Sequence, residues 1–277
     1  MGEDGGGLRR AAAALLALIA AASLVVGAVS IGARRTLFDP SGVDALSSRL
    51  LDETAVRSAI TDTLTTRLRS AVPLLRTPVV ADGLDGLARV LAGTEGFRRA
   101  FGEAVAELQA DLLSGSHHRQ VALRLDGMLD AMLAALQDEL GTTLPTPQVT
   151  GVLSVDPNQV RAYRGLNDAT ARAGWSAIVI GVLAALGAVL VAERRRRAIV
   201  GVGVTVAVVA LVALGALMLA RSAAAGAVGS AGRDVVGAVW DVAAGDVRVS
   251  LTVVLLAGLG TAVAGLALQA FRGDRRS

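Results

Sequence analysis

The chain has 277 residues, of which 53% are hydrophobic, and its mean hydropathy is +0.58. This composition is too apolar for an ordinary soluble domain and indicates a membrane protein. The sequence has no cysteine, which excludes disulfides, thiolate metal sites and a catalytic thiol. Its net charge of +3 is too small to indicate a nucleic-acid partner.

Four windows of 20–23 residues contain no Asp, Glu, Arg or His. A helix of that length extends about 30–35 Å, which matches the hydrocarbon core of a bilayer. An ionised side chain at its centre would cost about 2.5–3.5 kcal/mol. The sequence therefore predicts four transmembrane helices, at 11–32, 173–192, 198–220 and 249–271.

The first window also has features of a secretory signal peptide. Arg9 and Arg10 precede it, and the small residues at 28–30 resemble a cleavage site. The apolar core of a signal peptide is usually about 7–15 residues long. The 22 residues of this window favour a retained anchor, a prediction that an N-terminus near Ile31 in the purified protein would contradict.

The arginines are unevenly distributed among the segments that join the windows. Segment 193–197 has a net charge of +3 and the tail 272–277 has +2, whereas 33–172 has −2 and 221–248 is neutral. Positive loops stay on the cytoplasmic side, although the arginine pair at 34–35 argues mildly for the reverse orientation. The predicted order in a plasma membrane is a cytoplasmic tail at 1–10, an extracytoplasmic domain at 33–172, a cytoplasmic turn at 193–197, an outer loop at 221–248 and a cytoplasmic tail at 272–277.

Segment 33–172 is long enough for one small domain, and its patterns are mostly helical. Ser41, with Asp44 three residues later, predicts a weak capping box at the first helix. Thr54 and Thr94 precede two further apolar stripes at helical spacing. The stripes contain Val56, Ile60, Leu64 and Leu68, then Phe97, Phe101, Val105, Leu108 and Leu112.

Two stretches of this domain, 120–126 and 149–155, predict strands. A predicted helix at 127–140 separates them, so the three elements suggest a parallel strand–helix–strand unit. The fold class is therefore mainly α and integral to the membrane, with a small two-stranded α+β element in the extracytoplasmic domain. Asp156 and Pro157 predict the start of a helix that continues into the second span.

The outer loop contains a short amphipathic pattern. Its apolar face comprises Val235, Val236, Val239, Trp240 and Ala243. The helix either lies in the membrane interface or packs under the outer domain, and the pattern does not decide between these alternatives. Trp175 and Trp240 are predicted interfacial anchors, because tryptophan is enriched where membrane meets water.

Several short motifs occur in order along the chain. They are Leu37-Phe38-Asp39, Leu51-Asp52, Ala55-Val56-Arg57, Leu112-Leu113-Ser114-Gly115, Val121-Ala122-Leu123-Arg124-Leu125-Asp126 and Val152-Leu153-Ser154-Val155-Asp156, followed by the arginine-rich turn. In this order the chain resembles the uncharacterised conserved integral membrane proteins of actinobacteria, which have one N-terminal span, an extracytoplasmic domain and three C-terminal spans. The resemblance implies an architecture and a cell-envelope location, and it supplies no catalytic residue.

Residues that commonly carry chemistry are sparse. His117 and His118 are adjacent, so they do not share a helix face, and we interpret them as part of a solvated loop. Glu103, Glu107 and Asp111 recur every four residues, which is typical of a solvated helix face. No phosphate-binding, zinc-protease or nucleophile-elbow motif occurs. The sequence thus predicts no catalytic residue, no metal site and no cofactor.

The densest charge in the chain is a run of four arginines, Arg194, Arg195, Arg196 and Arg197. With a pI of about 10.7, such a run could be taken for a nucleic-acid patch. Because it lies between two apolar windows, we interpret it as the inner turn of a helical hairpin that contacts lipid headgroups. We therefore expect the lipid bilayer as a partner and no nucleic acid.

Small residues at four-residue spacing mark two of the predicted spans. They are Gly181-xxx-Ala185 in the second, and Ala257-xxx-Thr261-xxx-Gly265 and Gly258-xxx-Ala262 in the fourth. Such faces permit close helix packing within the chain or, as an alternative, self-association into an oligomer.

A substantial outer domain without catalytic motifs favours a non-enzymatic envelope protein with a scaffolding, interaction or sensory role and an envelope protein as partner. One alternative is a small transporter or an accessory subunit of a transporter. The few polar residues in the spans argue against ion coupling. A second alternative is an envelope hydrolase whose catalytic residues are brought together only by folding.

Overall fold

The computed structural model describes residues 4–71, 86, 88–90, 92–114, 122–124, 137, 152–154, 157–192 and 195–273. This part of the chain is largely helical. Its helices are α1 (Asp4–Leu37), α2 (Pro40–Asp52), α3 (Thr54–Ala71), α4 (Glu95–Leu113), α5 (Pro157–Val191), α6 (Arg195–Gly226), α7 (Ser230–Ala243) and α8 (Gly245–Gly273), with strands β1 (Ala122–Arg124) and β2 (Val152–Ser154) between α4 and α5.

Four of these helices, α1, α5, α6 and α8, are long and apolar enough to cross a membrane. Each contains one of the windows predicted from the sequence, except that Ala192 follows the last residue of α5. The prediction that a helix starting at Pro157 continues into the second span is confirmed, since α5 is unbroken. By length and composition, the chain is a membrane-embedded protein.

The chain divides into two compact units. The first, which we call the span unit, comprises Met1–Arg35, Asp168–Ala223 and Ala244–Ser277. The second, the polar unit, comprises Thr36–Asn167 and Ala224–Ala243.

Glycines bring helix backbones close together in the span unit. A Cβ atom added to Gly27 of α1 would lie 3.1 Å from the carbonyl oxygen of Gly174 in α5. One added to Gly203 of α6 would lie 2.6 Å from the backbone nitrogen of Ala262 and 2.7 Å from the oxygen of Gly258, both in α8. The small-residue face Gly258-xxx-Ala262 therefore packs against α6 within the chain.

The other two small-residue faces differ from each other. Gly181 faces α1, because a Cβ atom there would lie 2.8 Å from Leu24 Cγ. Ala257 and Thr261 are exposed, and the hydroxyl of Thr261 donates to the carbonyl of Ala257 in its own helix. Only Gly265 in that second stripe is buried.

Two apolar clusters form the interior of the span unit. The first joins α1 to α5 and α6, and the second joins α1 to α6 and α8. Their buried members are Ala17, Ala21, Ala188, Val202 and Val206, then Val25, Ala210, Val247 and Leu251. Many large apolar side chains elsewhere on α5, α6 and α8 are exposed, as expected of surfaces that face lipid.

In the polar unit, α2 packs against α3, α4 and α7, and α3 also packs against α7. Leu51 of α2 and Leu64 of α3 are each 1% exposed, and Phe97 and Phe101 of α4 are buried as well. Of the two alternatives for the outer-loop helix, these contacts favour packing against the domain over a helix lying free in the interface.

The first helix of the polar unit starts earlier than the sequence predicted. Its N-cap is Asp39, with Pro40 at the first helical position, and the carbonyl of Asp39 accepts from the Val43 nitrogen at 3.0 Å. The predicted capping box at Ser41 and Asp44 is therefore wrong, because both residues lie inside α2. Proline fixes φ near the helical value and lacks the amide that a first turn leaves unpaired.

The two strands pair in the antiparallel direction, with Leu123 opposite Leu153. The parallel pairing predicted from the strand–helix–strand order is wrong. A parallel crossover must carry the chain back along the length of the sheet, whereas three-residue strands pair in either direction once the connecting segment can turn. Except for Gln137, the predicted helix at 127–140 lies outside the described residues, as do His117 and His118.

Candidate functional site: the capped helix ends of the polar unit

The last carbonyl groups of a helix accept no hydrogen bond from within that helix, so those at the end of α1 need donors from elsewhere. Two side chains from distant parts of the sequence meet the carbonyl oxygen of Leu37. Tyr163 of α5 donates its hydroxyl at 2.6 Å, and Gln109 of α4 donates its amide Nε2 at 3.1 Å. Both lone pairs of this oxygen are thereby used within the polar unit.

The same corner is packed by an aromatic pair. The rings of Phe38 and Tyr163 lie 4.9 Å apart between centroids, tilted by 50°, which is a favourable geometry worth about 0.5–1.5 kcal/mol beyond area burial. Phe38 and Gln109 are both buried. The phenol is therefore fixed by its ring and by its hydroxyl.

The next residue on α5 after Tyr163 also caps a helix end, at a different helix. Arg164 donates from Nε to the carbonyl of Leu112, at the end of α4, at 2.5 Å. A cation at a helix C-terminus also interacts favourably with the helix dipole. We call Leu37, Gln109, Leu112, Tyr163 and Arg164 the capping node.

The capping node is suited to fixing the positions of helices. Its acceptors are main-chain carbonyls at two helix ends, and its donors are a phenol, an amide and a guanidinium. These groups neither form a nucleophile–base pair nor offer a set of metal ligands. An exposed ion pair between Arg98 and Asp52, at 2.8 Å, further links α4 to α2.

The predicted arginine site lies where α6 begins. Arg195, Arg196 and Arg197 occupy the first turn of this helix, which begins four residues after the last residue of α5, and Arg194 lies outside the described residues. Arg195 and Arg197 are exposed. Residues 192–194 connect α5 to α6, and the hairpin turn predicted there stays a prediction.

The two predicted interfacial tryptophans lie in different environments. Trp175 on α5 is 72% exposed, so its ring is available to a surrounding interface. Trp240 on α7 is half-buried, and its Nε1 is buried without a hydrogen-bond partner among the described residues. An interfacial anchor normally presents its N–H to water or headgroups, so the geometry suits Trp175 better than Trp240.

The carboxylates of α4 lie as a solvated face would place them. Glu103 and Glu107 are exposed and Asp111 is half-buried. In the parts of the chain that the structure describes, no group of three or more His, Cys, Asp or Glu side chains is close enough to hold a metal ion.

Sequence reasoning missed the donors of the capping node. Only one local signal points to Gln109. It is a polar residue buried on the same helix as Phe97, Phe101 and Ala104. Tyr163 is the only tyrosine in the chain, and its position in the sequence gives no indication of which group its hydroxyl contacts. A polar side chain on a buried face needs a partner, and that rule could have singled out Gln109.

Comparison with protein-family models, curated proteins and solved structures gives no match to this chain.

Proposed function

We propose that this is a non-enzymatic membrane protein of the cell envelope, whose polar unit binds a protein partner in a scaffolding or sensory role. The observation that carries the proposal is the capping node. In the capping node, side chains that are distant in sequence donate hydrogen bonds to the ends of α1 and α4. These bonds hold the helices in fixed positions, and a binding module requires such a fixed surface.

The wider chemistry of the polar unit supports the same role. Three of its buried hydroxyls, on Ser47, Thr61 and Thr65, each donate to a carbonyl in their own helix. A hydroxyl whose proton is donated to a main-chain carbonyl is a poor nucleophile, because the carbonyl is not a base that can accept that proton. We therefore favour binding of a partner at the surface of the polar unit over catalysis by its hydroxyl groups.

We further propose that both termini and the turn at 193–197 face the cytoplasm and that 33–172 lies outside. Arg34 and Arg35, which argued against this orientation, have a local explanation. They lie in the last turn of α1, where cations interact favourably with the helix dipole. The two arginines therefore stabilise the end of α1, and they carry less weight as evidence about the orientation in the membrane.

Cysteine labelling tests the orientation cleanly, because the natural chain has no cysteine. We expect Ser48→Cys and Ser230→Cys, both at exposed positions, to react with a membrane-impermeant maleimide in intact cells. Gly7→Cys, also exposed, should react only after permeabilisation. Reaction of Gly7→Cys in intact cells, with Ser48→Cys protected, would reverse the proposed topology.

Site-specific photo-crosslinking tests the binding role. We expect a benzoylphenylalanine at Val90, which is 68% exposed in the polar unit, to give a discrete protein adduct in living cells. The matched control is Leu190 of α5, which is also 68% exposed but faces outwards from the span unit and should give lipid adducts only. A scan of exposed polar-unit positions without any discrete adduct would count against the proposal.

A further inference from the structure

Helix α7 packs against α2 and α3, yet its apolar face is incompletely covered there. Not one of the five residues of that face is fully buried, and Val239 at its centre is 39% exposed. Gly237 is buried instead. It precedes Val239 by two residues and therefore lies on nearly the opposite side of the helix. The packed position of α7 thus leaves part of its apolar face in water.

The same position leaves a polar group of α7 without a partner. The Nε1 atom of Trp240 is buried and has no hydrogen-bond partner among the described residues. An N–H group that is buried without an acceptor loses its hydrogen bond to water and gains none in return. Packing against α2 and α3 is therefore unfavourable for α7 in two respects, since apolar surface stays in water and a donor is removed from it.

A membrane interface would satisfy both groups. An amphipathic helix that lies there places its apolar side chains against the acyl chains, and a tryptophan ring there presents its N–H to water and headgroups. Residues 227–229 join α7 to α6 and Ala244 joins it to α8, and both of those helices are long and apolar enough to cross a membrane. The interface is therefore within reach of α7 in either position.

We propose that α7 is a detachable cover, which packs against α2 and α3 in one state and lies in the membrane interface in the other. Release of α7 uncovers the surface of α2 and α3 against which it packs. Gly229 and Gly245, which flank the helix, give the backbone the freedom that this movement needs, and a Cβ atom at either position would have no neighbour within 4 Å. The proposal concerns α7 alone, so it can fail without the protein partner proposed for the polar unit, and the reverse.

The fluorescence of Trp240 tests the proposal in the full-length chain. The chain has two tryptophans, so Trp240 is the only one in a Trp175→Phe background. This protein is reconstituted into phosphatidylcholine vesicles whose acyl chains either carry or lack bromine, a short-range quencher of indole emission. We expect time-resolved emission to resolve two populations of Trp240, one quenched by bromine and one protected. Both leaflets carry the quencher, so the orientation of the protein in the vesicle has no influence.

Two further substitutions in this background should shift the ratio of quenched to protected Trp240 in opposite directions. Val239→Asn weakens insertion at a position that is already exposed in the packed state, and it should lower the ratio about fivefold. Gly237→Leu adds a side chain at the buried position of the packed state, and it should raise the ratio about fivefold. The matched control is Asp234→Asn, at an exposed position away from the apolar face, which should leave the ratio unchanged.

A single population of Trp240 in the Trp175→Phe protein, whether quenched or protected, would overturn the proposal, because α7 would then have one position. Ratios in Val239→Asn and Gly237→Leu that both equal the ratio in the control would overturn it as well. If either of these variants fails to fold, the number of populations in the Trp175→Phe protein still decides between one position of α7 and two.

Discussion

Substituting Gly203 with alanine is expected to destabilise the span unit, whereas the same substitution two residues away, at Gly201, is expected to stabilise it slightly. A Cβ atom at Gly203 would lie 2.6 Å and 2.7 Å from main-chain atoms of α8. Backbone atoms cannot move aside as a side-chain tip can, so α6 and α8 must separate. Overpacking of this kind costs about 1–3 kcal/mol, and the lost close contact adds to that cost.

Gly201 provides the matched control. It is exposed, and a Cβ atom there would have no neighbour within 4 Å. Alanine restricts the unfolded chain more than glycine does, so Gly201→Ala should raise stability by about 0.4–1 kcal/mol. The measurement is the unfolding free energy in mixed micelles as the fraction of denaturing detergent rises.

Helix α8 offers a second pair of glycine substitutions for the same test. A Cβ atom at Gly258 would lie 2.8 Å from the Ala207 nitrogen and 2.9 Å from the Gly203 oxygen, whereas Gly260 has open space. Gly258→Ala should destabilise and Gly260→Ala should not. The double variant at 203 and 258 should cost less than the sum of its parts, because helices already separated admit the second methyl group. Four variants of equal stability would mean that the helices do not meet at these glycines.

The spans were predictable because the penalty for a charge in lipid is large and local. Each window could be identified from its own residues, without reference to any other segment. The packing partner of Gly258 could not be identified in this way. Its four-residue spacing with Ala262 shows that a backbone can approach closely, yet the spacing is the same whether the partner is α6 or a second copy of the chain.

Helix ends in the polar unit show where local rules compete. Asp39-Pro40 and Ser41 with Asp44 are both acceptable start signals, and the structure selects the first. Proline decided the outcome, because its fixed φ suits the first helical position and tends to exclude the preceding residue from the helix. The antiparallel strand pair was missed for a different reason, since pairing direction depends on the path of the intervening chain.

The capping node was beyond sequence reasoning because its partners are far apart. The hydroxyl of Tyr163 and the carbonyl of Leu37 are separated by 126 positions, and Gln109 lies 72 from the same carbonyl. The spacing of apolar residues along the sequence does not indicate contacts between residues so far apart. What the sequence does carry is a polar residue on a buried helix face, and the structure shows the helix end that it caps.

Removing both donors from the end of α1 is therefore expected to have a larger effect than either single loss suggests. Tyr163→Phe removes one hydrogen bond to Leu37 and retains the ring contact with Phe38. Gln109→Met removes the other with little change of volume. Each should cost about 0.5–1.5 kcal/mol, because one acceptor bond remains. The double variant leaves the carbonyl without a partner from either side chain, which adds about 1–3 kcal/mol of desolvation cost.

A double-mutant cycle measured as unfolding free energy separates this prediction from simple additivity. Ser176→Ala on the same helix is the matched control, because its hydroxyl donates only within α5, to Arg172 and more weakly to Ala173; this variant should be near neutral. Hydrogen exchange at the ends of α1 and α4 should accelerate in the double variant and remain unchanged in the control. Additive losses, with no change in exchange at Leu37 and its neighbours, would show that the two donors do not share one acceptor. The polar unit would then need another source of rigidity, and the binding role would lose its main structural support.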